Sequence, residues 1–151
     1  MRTVVQRVRQ ARVLVGGEVT GEIAYGLLVF LGVAKGDTEK EADYLLDKLV
    51  GLRIFPDEHD KMNRNIVDAG GAFLIVSQFT LYGDCRRGRR PSFDLAAPPE
   101  KAQALYNYFV ESARKTSVRT ETGIFQASMQ VELVNDGPVT IIVETGATQH
   151  Q

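Results

Sequence analysis

The sequence is short of the side chains that usually carry enzyme chemistry. It has two histidines and one cysteine in 151 residues. A single cysteine excludes an internal disulfide, and Cys85 fits a reducing compartment. No apolar run reaches membrane-spanning length, and the opening MRTVVQRV is too evenly charged for a secretory leader. The expected location is therefore cytoplasmic. A formal net charge of −1 excludes a general attraction to nucleic acid and leaves any such contact to a local basic patch. No glycine-rich phosphate loop of the required pattern occurs. Asp57, Glu58, His59 and Asp60 are consecutive, and neighbours in sequence rarely converge on one ion, so they read as a solvated loop. His150 is next to last, in a tail expected to fray. No metal and no other cofactor is expected.

What remains is ordinary in composition, with 44% hydrophobic and 25% charged residues in the length of one domain. Residues 1–151 are expected to close one core. Val4, Val5, Val8, Val13 and Val15 favour extended backbone, and Gly16-Gly17 signals a hairpin into residues 18–23. The run LLVFLGVA (27–34) suits a strand buried on both faces, as does AFLIV (72–76). Thr38 and Glu41 make a capping-box pattern before Ala42, Leu45, Leu46, Leu49 and Leu52, whose spacing predicts a helix with one apolar face. Pro98-Pro99 open a second such helix carrying Ala102, Leu105, Phe109 and Ala113. Polar residues 56–65 read as an exposed loop, and short strands are expected at 118–120, 128–135 and 139–145. The predicted architecture is α/β: a mixed, largely antiparallel, barrel-like sheet of about seven strands with two amphipathic helices.

Three segments do not fit a purely structural role easily. AFLIV runs straight into Ser77, Gln78, Phe79 and Thr80, placing polar groups at the end of a buried strand. Such groups must either bond neighbouring backbone or line a cavity, and both readings stand. A serine or threonine nucleophile needs an adjacent base, and none is near in sequence. Asn135-Asp136-Gly137-Pro138 marks a tight turn between strands, and Pro138 also permits a cis peptide bond. Finally, Arg86, Arg87, Arg89 and Arg90 crowd five residues just after the polar strand end. They form either a solvated face or a phosphate-binding patch.

SQFTL (77–81), RGRRPSF (87–93) and NDGPVT (135–140), with Arg7 in the opening segment, resemble the hallmark segments of the D-aminoacyl-tRNA deacylase family. The likeness covers the whole chain. It departs at Gly83, where alanine is common, at Cys85, and at Gln126, which replaces a usual glycine. The resemblance implies an editing hydrolase that cleaves D-aminoacyl-tRNA, and glycyl-tRNA mischarged on alanine tRNA, while sparing L-aminoacyl-tRNA. It implies a homodimer with active sites at the interface. Ser77, Gln78, Phe79 and Thr80 would surround the terminal adenosine and the ester, with Met129 near the adenine. Gly137-Pro138 of the other subunit, held by Arg7, would exclude L substrates through backbone carbonyls. Arg86, Arg87, Arg89 and Arg90 would meet tRNA phosphates. Three rivals stand beside this reading: a non-catalytic tRNA-binding module, a hydrolase with Ser77 or Thr80 as nucleophile, and a purely structural dimer.

Overall fold

The early valines build a long first strand, β1 (Arg2–Val15), which turns through Gly16-Gly17 into β2 (Glu18–Ile23). The computed structural model describes residues 1–146, so His150 lies outside the described residues. β3 (Gly26–Gly32) follows, then α1 (Glu39–Gly51). The capping box forms as the sequence predicts: Thr38 Oγ1 accepts the Lys40 N–H at 3.3 Å, and Glu41 accepts the Thr38 N–H at 2.6 Å. After β4 (Phe55–Pro56), β5 (Met62–Arg64) and β6 (Ala72–Ser77) comes a single 3₁₀ turn, Phe79–Tyr82. Helix α2 (Pro99–Arg114), β7 (Thr120–Thr122) and β8 (Gln130–Glu144) complete the described chain.

Five strands lie in the order β2-β1-β3-β6-β7, with β8 added along β1. β1 is antiparallel to β2, β3 and β8, whereas β3–β6 and β6–β7 are parallel. β2 lies against β7, where Arg119 Nη2 donates to the Glu22 carbonyl at 3.2 Å. The sheet therefore curls into a nearly closed barrel, and the expected α/β architecture holds.

Alternation along the central strands divides the core in two. Leu27, Val29, Leu31, Phe73 and Ile75 face α1 and α2, meeting Leu45, Leu49, Leu105 and Phe109. Leu28, Leu74 and Val76 point the other way, into the barrel, with Val8, Val13 and Ile23. Each fully buried side chain of this size contributes about 1.5–3 kcal/mol, so β3 and β6 are the most firmly held strands and their ends are well fixed.

Three local expectations change. Within 56–65, Pro56 pairs with Met62 and Phe55 with Arg64, a two-stranded ribbon where a loop was expected. Asp57 accepts the His59 N–H at 2.8 Å and the Lys61 N–H at 3.1 Å, so its carboxylate closes that ribbon. The last short strands are one: β8 runs unbroken through residues 135–140. Five residues of β8 are spent where β1 advances from Val8 back to Gln6, since Asn135 pairs with Val8 and Thr140 with Gln6. The expected tight turn is thus an excursion within a continuous strand, a wide form of bulge. The third change is at Phe79–Tyr82, where the chain leaves the sheet immediately after Ser77.

Gln126 adopts φ 63°, in the left-handed region that costs a residue with a Cβ about 1–2 kcal/mol. A glycine at this position would carry no Cβ penalty. Glycine's larger entropy loss on folding offsets part of the gain. Gln126→Gly is expected to raise the unfolding free energy by about 0.5–1 kcal/mol in a urea titration. A destabilised variant would mean that the glutamine side chain offsets its backbone.

Candidate active site

The polar residues sit where the most buried strand ends. The Gln78 N–H donates to the Leu31 carbonyl at 2.8 Å, the last rung toward β3. Three residues earlier, in the core, the Ile75 carbonyl accepts from Tyr106 Oη at 2.8 Å and from the Gly123 N–H at 3.3 Å. Burial pushes the Tyr106 phenol up to about 12, so it stays a donor throughout the neutral range. The end of β6 is therefore pinned from three sides. Beyond it, Phe79 and Thr80 are exposed at the start of the 3₁₀ turn. The turn's bonds begin at Leu81 N–H to the Gln78 carbonyl (3.3 Å) and Gly83 N–H to the Thr80 carbonyl (2.9 Å). Thr80 Oγ1 is bonded to the Gln78 side-chain amide. A carboxamide is neutral whichever way it is turned, so it cannot serve as the base a threonine nucleophile requires.

The arginine loop is fastened to this turn. Asp84 and Ser92 exchange backbone bonds of 2.7 and 2.9 Å, closing residues 85–91 into a hairpin. Phe93 then lies edge-on to Phe79 with ring centroids 5.1 Å apart. Arg86 is occupied: its guanidinium grips Asp84 at 2.9 and 2.6 Å, and those hydrogen bonds hold the Asp84 carboxyl down to about 2. Arg87, Arg89 and Arg90 make no ion pair among the described residues, and all three are exposed.

The excursion in β8 is held from below. Arg7 is buried; its Nη1 donates to the Ile54 carbonyl at 2.7 Å and its Nε to the Asp136 carbonyl at 2.9 Å. Asn135 closes the excursion, accepting the Val139 N–H at 2.7 Å and donating to the Val139 carbonyl at 3.1 Å. At its tip the Gly137-Pro138 bond is cis and both residues are exposed. Gly137 has φ 141°, and a Cβ there would lie 2.8 Å from Val139 Cγ2 and 3.3 Å from Arg7 Nη2. This tip does not reach the strand end within its own chain. Ser77 pairs with Leu31, which pairs with Thr3, whereas the excursion leaves beside Gln6–Val8 on the far side of β1. Three strand spacings and about four residues of rise put the two roughly 20 Å apart across the sheet.

Residues 4–144 match the family model described as D-Tyr-tRNA(Tyr) deacylase. A D-aminoacyl-tRNA deacylase of Solibacter usitatus is 63% identical over 145 residues, covering 96% of each chain. One from Symbiobacterium thermophilum is 61% identical over 148 residues and 98% of each chain. This chain belongs to the D-aminoacyl-tRNA deacylase family. Among solved structures, one described as a c-Myc DNA unwinding element binding protein superposes with a TM-score of 0.91 at 44% identity, over 97% of this chain and 100% of its own. Another, described as a "probable eukaryotic D-amino acid tRNA deacylase", superposes at 0.83 with 17% identity, over 95% and 98% of the two chains, and shows the shared fold. The chain is accordingly a hydrolase of the deacylase family, with aminoacyl-tRNA as its class of substrate.

Within that deacylase fold, the sequence reading brings some residues together and misses others. Met129 packs over Gly123 beside Val13, and Gly123 in turn bonds the end of β6, so Met129 lies at the same barrel mouth as Ser77. Arg2 carries no signal in the sequence, because an arginine in an alternating strand reads as an outward solvated residue. Its Nη1 instead donates to the Leu81 carbonyl at 2.8 Å, its Nε to Glu144 at 2.7 Å, and its guanidinium covers the Tyr82 ring at 4.8 Å. Arg2 thereby fastens the 3₁₀ turn that carries Phe79 and Thr80. Arg2→Ala is expected to lose about 1.5–3 kcal/mol of stability, the range for hydrogen bonds to a charged group. Loosening the turn should also slow single-turnover deacylation on the order of 10- to 100-fold, with Arg2→Lys intermediate. A normal rate in a destabilised variant would separate the turn's geometry from Arg2.

Proposed function

We propose that this deacylase hydrolyses D-aminoacyl-tRNA to free tRNA and D-amino acid by supplying position and backbone donors, the terminal adenosine supplying the rest. The observation that carries the reading is the base-free site: Ser77, Gln78, Phe79 and Thr80 have no ionisable side chain, and the Thr80 hydroxyl is engaged by an amide. An ester on ribose is already activated and has a 2′-hydroxyl beside its carbonyl. Water adds to that carbonyl, the developing oxyanion is met by the Phe79 backbone N–H, and the 3′-oxygen leaves with a proton.

L substrates are rejected by exclusion. In a two-fold dimer the Gly137-Pro138 tip of one subunit enters the pocket of the other, where its carbonyls form a wall against an L side chain. A backbone wall admits any D side chain, and it admits glycine, so glycyl-tRNA mischarged on alanine tRNA is a substrate. Two features support the dimer. The tip is exposed and distant from its own strand end, and no residue of β8 is fully buried, with Val134 and Ile142 47% and 64% exposed. An open edge of 15 residues calls for cover. Arg7 holds the tip, Met129 packs near the adenine, and the enzyme acts in the cytoplasm as a single-domain subunit. Of the loop arginines, Arg87, Arg89 and Arg90 are the ones available to phosphate, while Arg86 shapes the loop.

The primary test is deacylation of matched D- and L-tyrosyl-tRNA, with spontaneous hydrolysis subtracted. The D form should be cleaved and the L form should decay at its uncatalysed rate; equal cleavage of both would end the exclusion reading. Thr80→Ala and Ser77→Ala should each keep measurable activity, whereas a tRNA ending in 2′-deoxyadenosine, acylated at the 3′ position, should react far more slowly. The opposite pattern, with Thr80→Ala dead and the deoxy substrate good, would favour a protein nucleophile.

Affinity offers a separate check. Replacing Arg87, Arg89 and Arg90 with glutamine should flatten the dependence of log affinity on log salt by about 2–3 for all tRNAs alike. Arg86→Gln should change that slope little, because its charge is already matched by Asp84. Unchanged binding in the triple variant would return the loop to the status of a solvated face.

A further inference from the structure

The site described so far accounts for the terminal adenosine and for phosphates, but not for the exposed aromatic surface between them. Phe79 is 55% exposed and Phe93 37% exposed, and the two rings meet edge to face at 5.1 Å. Large aromatic rings are not left in water by preference, and this pair is held in place. Phe93 follows the Asp84–Ser92 backbone bridge directly, so its Cα is set by two hydrogen bonds of 2.7 and 2.9 Å. Its ring also rests on Gly83: a Cβ at position 83 would lie 3.2 Å from Phe93 Cε1. The absence of a Cβ at position 83 leaves room for the ring to seat this closely. The pair joins the Phe79–Thr80 turn to the hairpin that carries Arg87, Arg89 and Arg90, which are exposed and without ion pairs among the described residues.

An exposed aromatic face beside a row of free arginines is the arrangement that holds single-stranded nucleic acid, the rings stacking bases and the guanidinium groups tracking phosphates. The 3′ end of an aminoacyl-tRNA is single-stranded, and its penultimate nucleotides leave the ester in the direction of the tRNA body. We propose that Phe93, backed by Phe79, is a stacking subsite for the base next to the terminal adenosine, with Arg87, Arg89 and Arg90 on the following phosphates. This rests on the reading of residues 77–80 as the ester site and adds a specificity element to it: the enzyme grips the single-stranded end as well as its last nucleoside. The occupant is RNA rather than a protein because the patch joins aromatic faces to unmatched positive charge of one sign.

The test uses two non-hydrolysable probes, each carrying D-tyrosine in amide linkage to a 3′-amino-3′-deoxyadenosine. One is the nucleoside alone and the other is the trinucleotide ending CCA. Kd is measured by calorimetry for the wild-type protein, Phe93→Ala and Phe93→Tyr, with the oligomeric state of each followed by sedimentation. Wild-type protein should bind the trinucleotide more tightly than the nucleoside. Phe93→Ala should weaken trinucleotide binding about 5- to 150-fold, the loss of one base–aromatic stack, and leave the nucleoside within about twofold. Phe93→Tyr should restore the trinucleotide affinity. Equal weakening of both probes would make Phe93 a prop for Phe79 and overturn the subsite, as would no weakening of either. Loss of the wild-type oligomer in Phe93→Ala would reassign the ring to an interface between subunits. A wild-type protein that ignores the nucleoside probe but binds CCA would instead count against the ester site at residues 77–80.

Discussion

The guanidinium of Arg7 is the group on which the unusual part of this structure depends. It is buried beneath β8, bonded to the Ile54 carbonyl at 2.7 Å and to the Asp136 carbonyl at 2.9 Å, with the Asp136 carboxylate 3.5 Å away. A buried charge with its partners removed is strongly unfavourable, and the partners here are mostly backbone. The geometry thus runs both ways: Arg7 needs the excursion in β8, and the excursion needs Arg7. Arg9 shares the Asp136 carboxylate at 3.2 Å from the exposed side, and Asn135 ties off the neck. The result is a short length of backbone pushed out of a sheet and held in place with no polar side chain at its tip.

The other half of the arrangement is equally rigid and equally spare. β6 is buried along both faces until Ser77, then hands the chain to a turn fixed by Arg2 at one end and by the ladder to Leu31 at the other. What it presents is a pair of exposed residues and backbone donors, with no acid or base among Ser77–Thr80. Such a site can orient a reactive ester and stabilise charge on it, and it is poorly equipped to do more. Both halves therefore offer backbone where many hydrolases offer side chains. Backbone can distinguish configuration without recognising a particular side chain.

The parts of the fold set by local chemistry were readable from the sequence. Thr38 and Glu41 announce the start of α1, and the apolar runs at 27–34 and 72–76 give strands buried on both sides. The parts set by distant partners were not. Asn135-Asp136-Gly137-Pro138 has the composition of a turn between strands, and only the continued pairing of β8 with β1 past it reveals an excursion. Phe79 and Leu81 favour extended backbone, yet the strand ends before them because β3 provides no further rung. The polarity of 56–65 signals its exposure but carries no sign of the Phe55–Arg64 pairing. Arg2 and Arg86 show the same limit for charge: one looks solvated and fastens the turn, the other looks free and is matched by Asp84.

The central claim is that each site is completed by the Gly137 tip of the partner subunit, and mixed dimers test it most directly. One subunit carries Gly137→Ala, which crowds the tip. The other carries Phe79→Pro, which removes the N–H donor at the first residue of the 3₁₀ turn, where the preceding Gln78 (φ −144°, ψ 83°) lies outside the α region that a following proline disfavours. Each variant alone should be inactive on D-tyrosyl-tRNA. In the mixed dimer one pocket keeps its donor and receives an intact tip, while the other carries both lesions. The account predicts recovery of about half the wild-type rate per dimer, by simple counting of sites. Mixed dimers as inactive as either parent would place tip and pocket in the same subunit and contradict it.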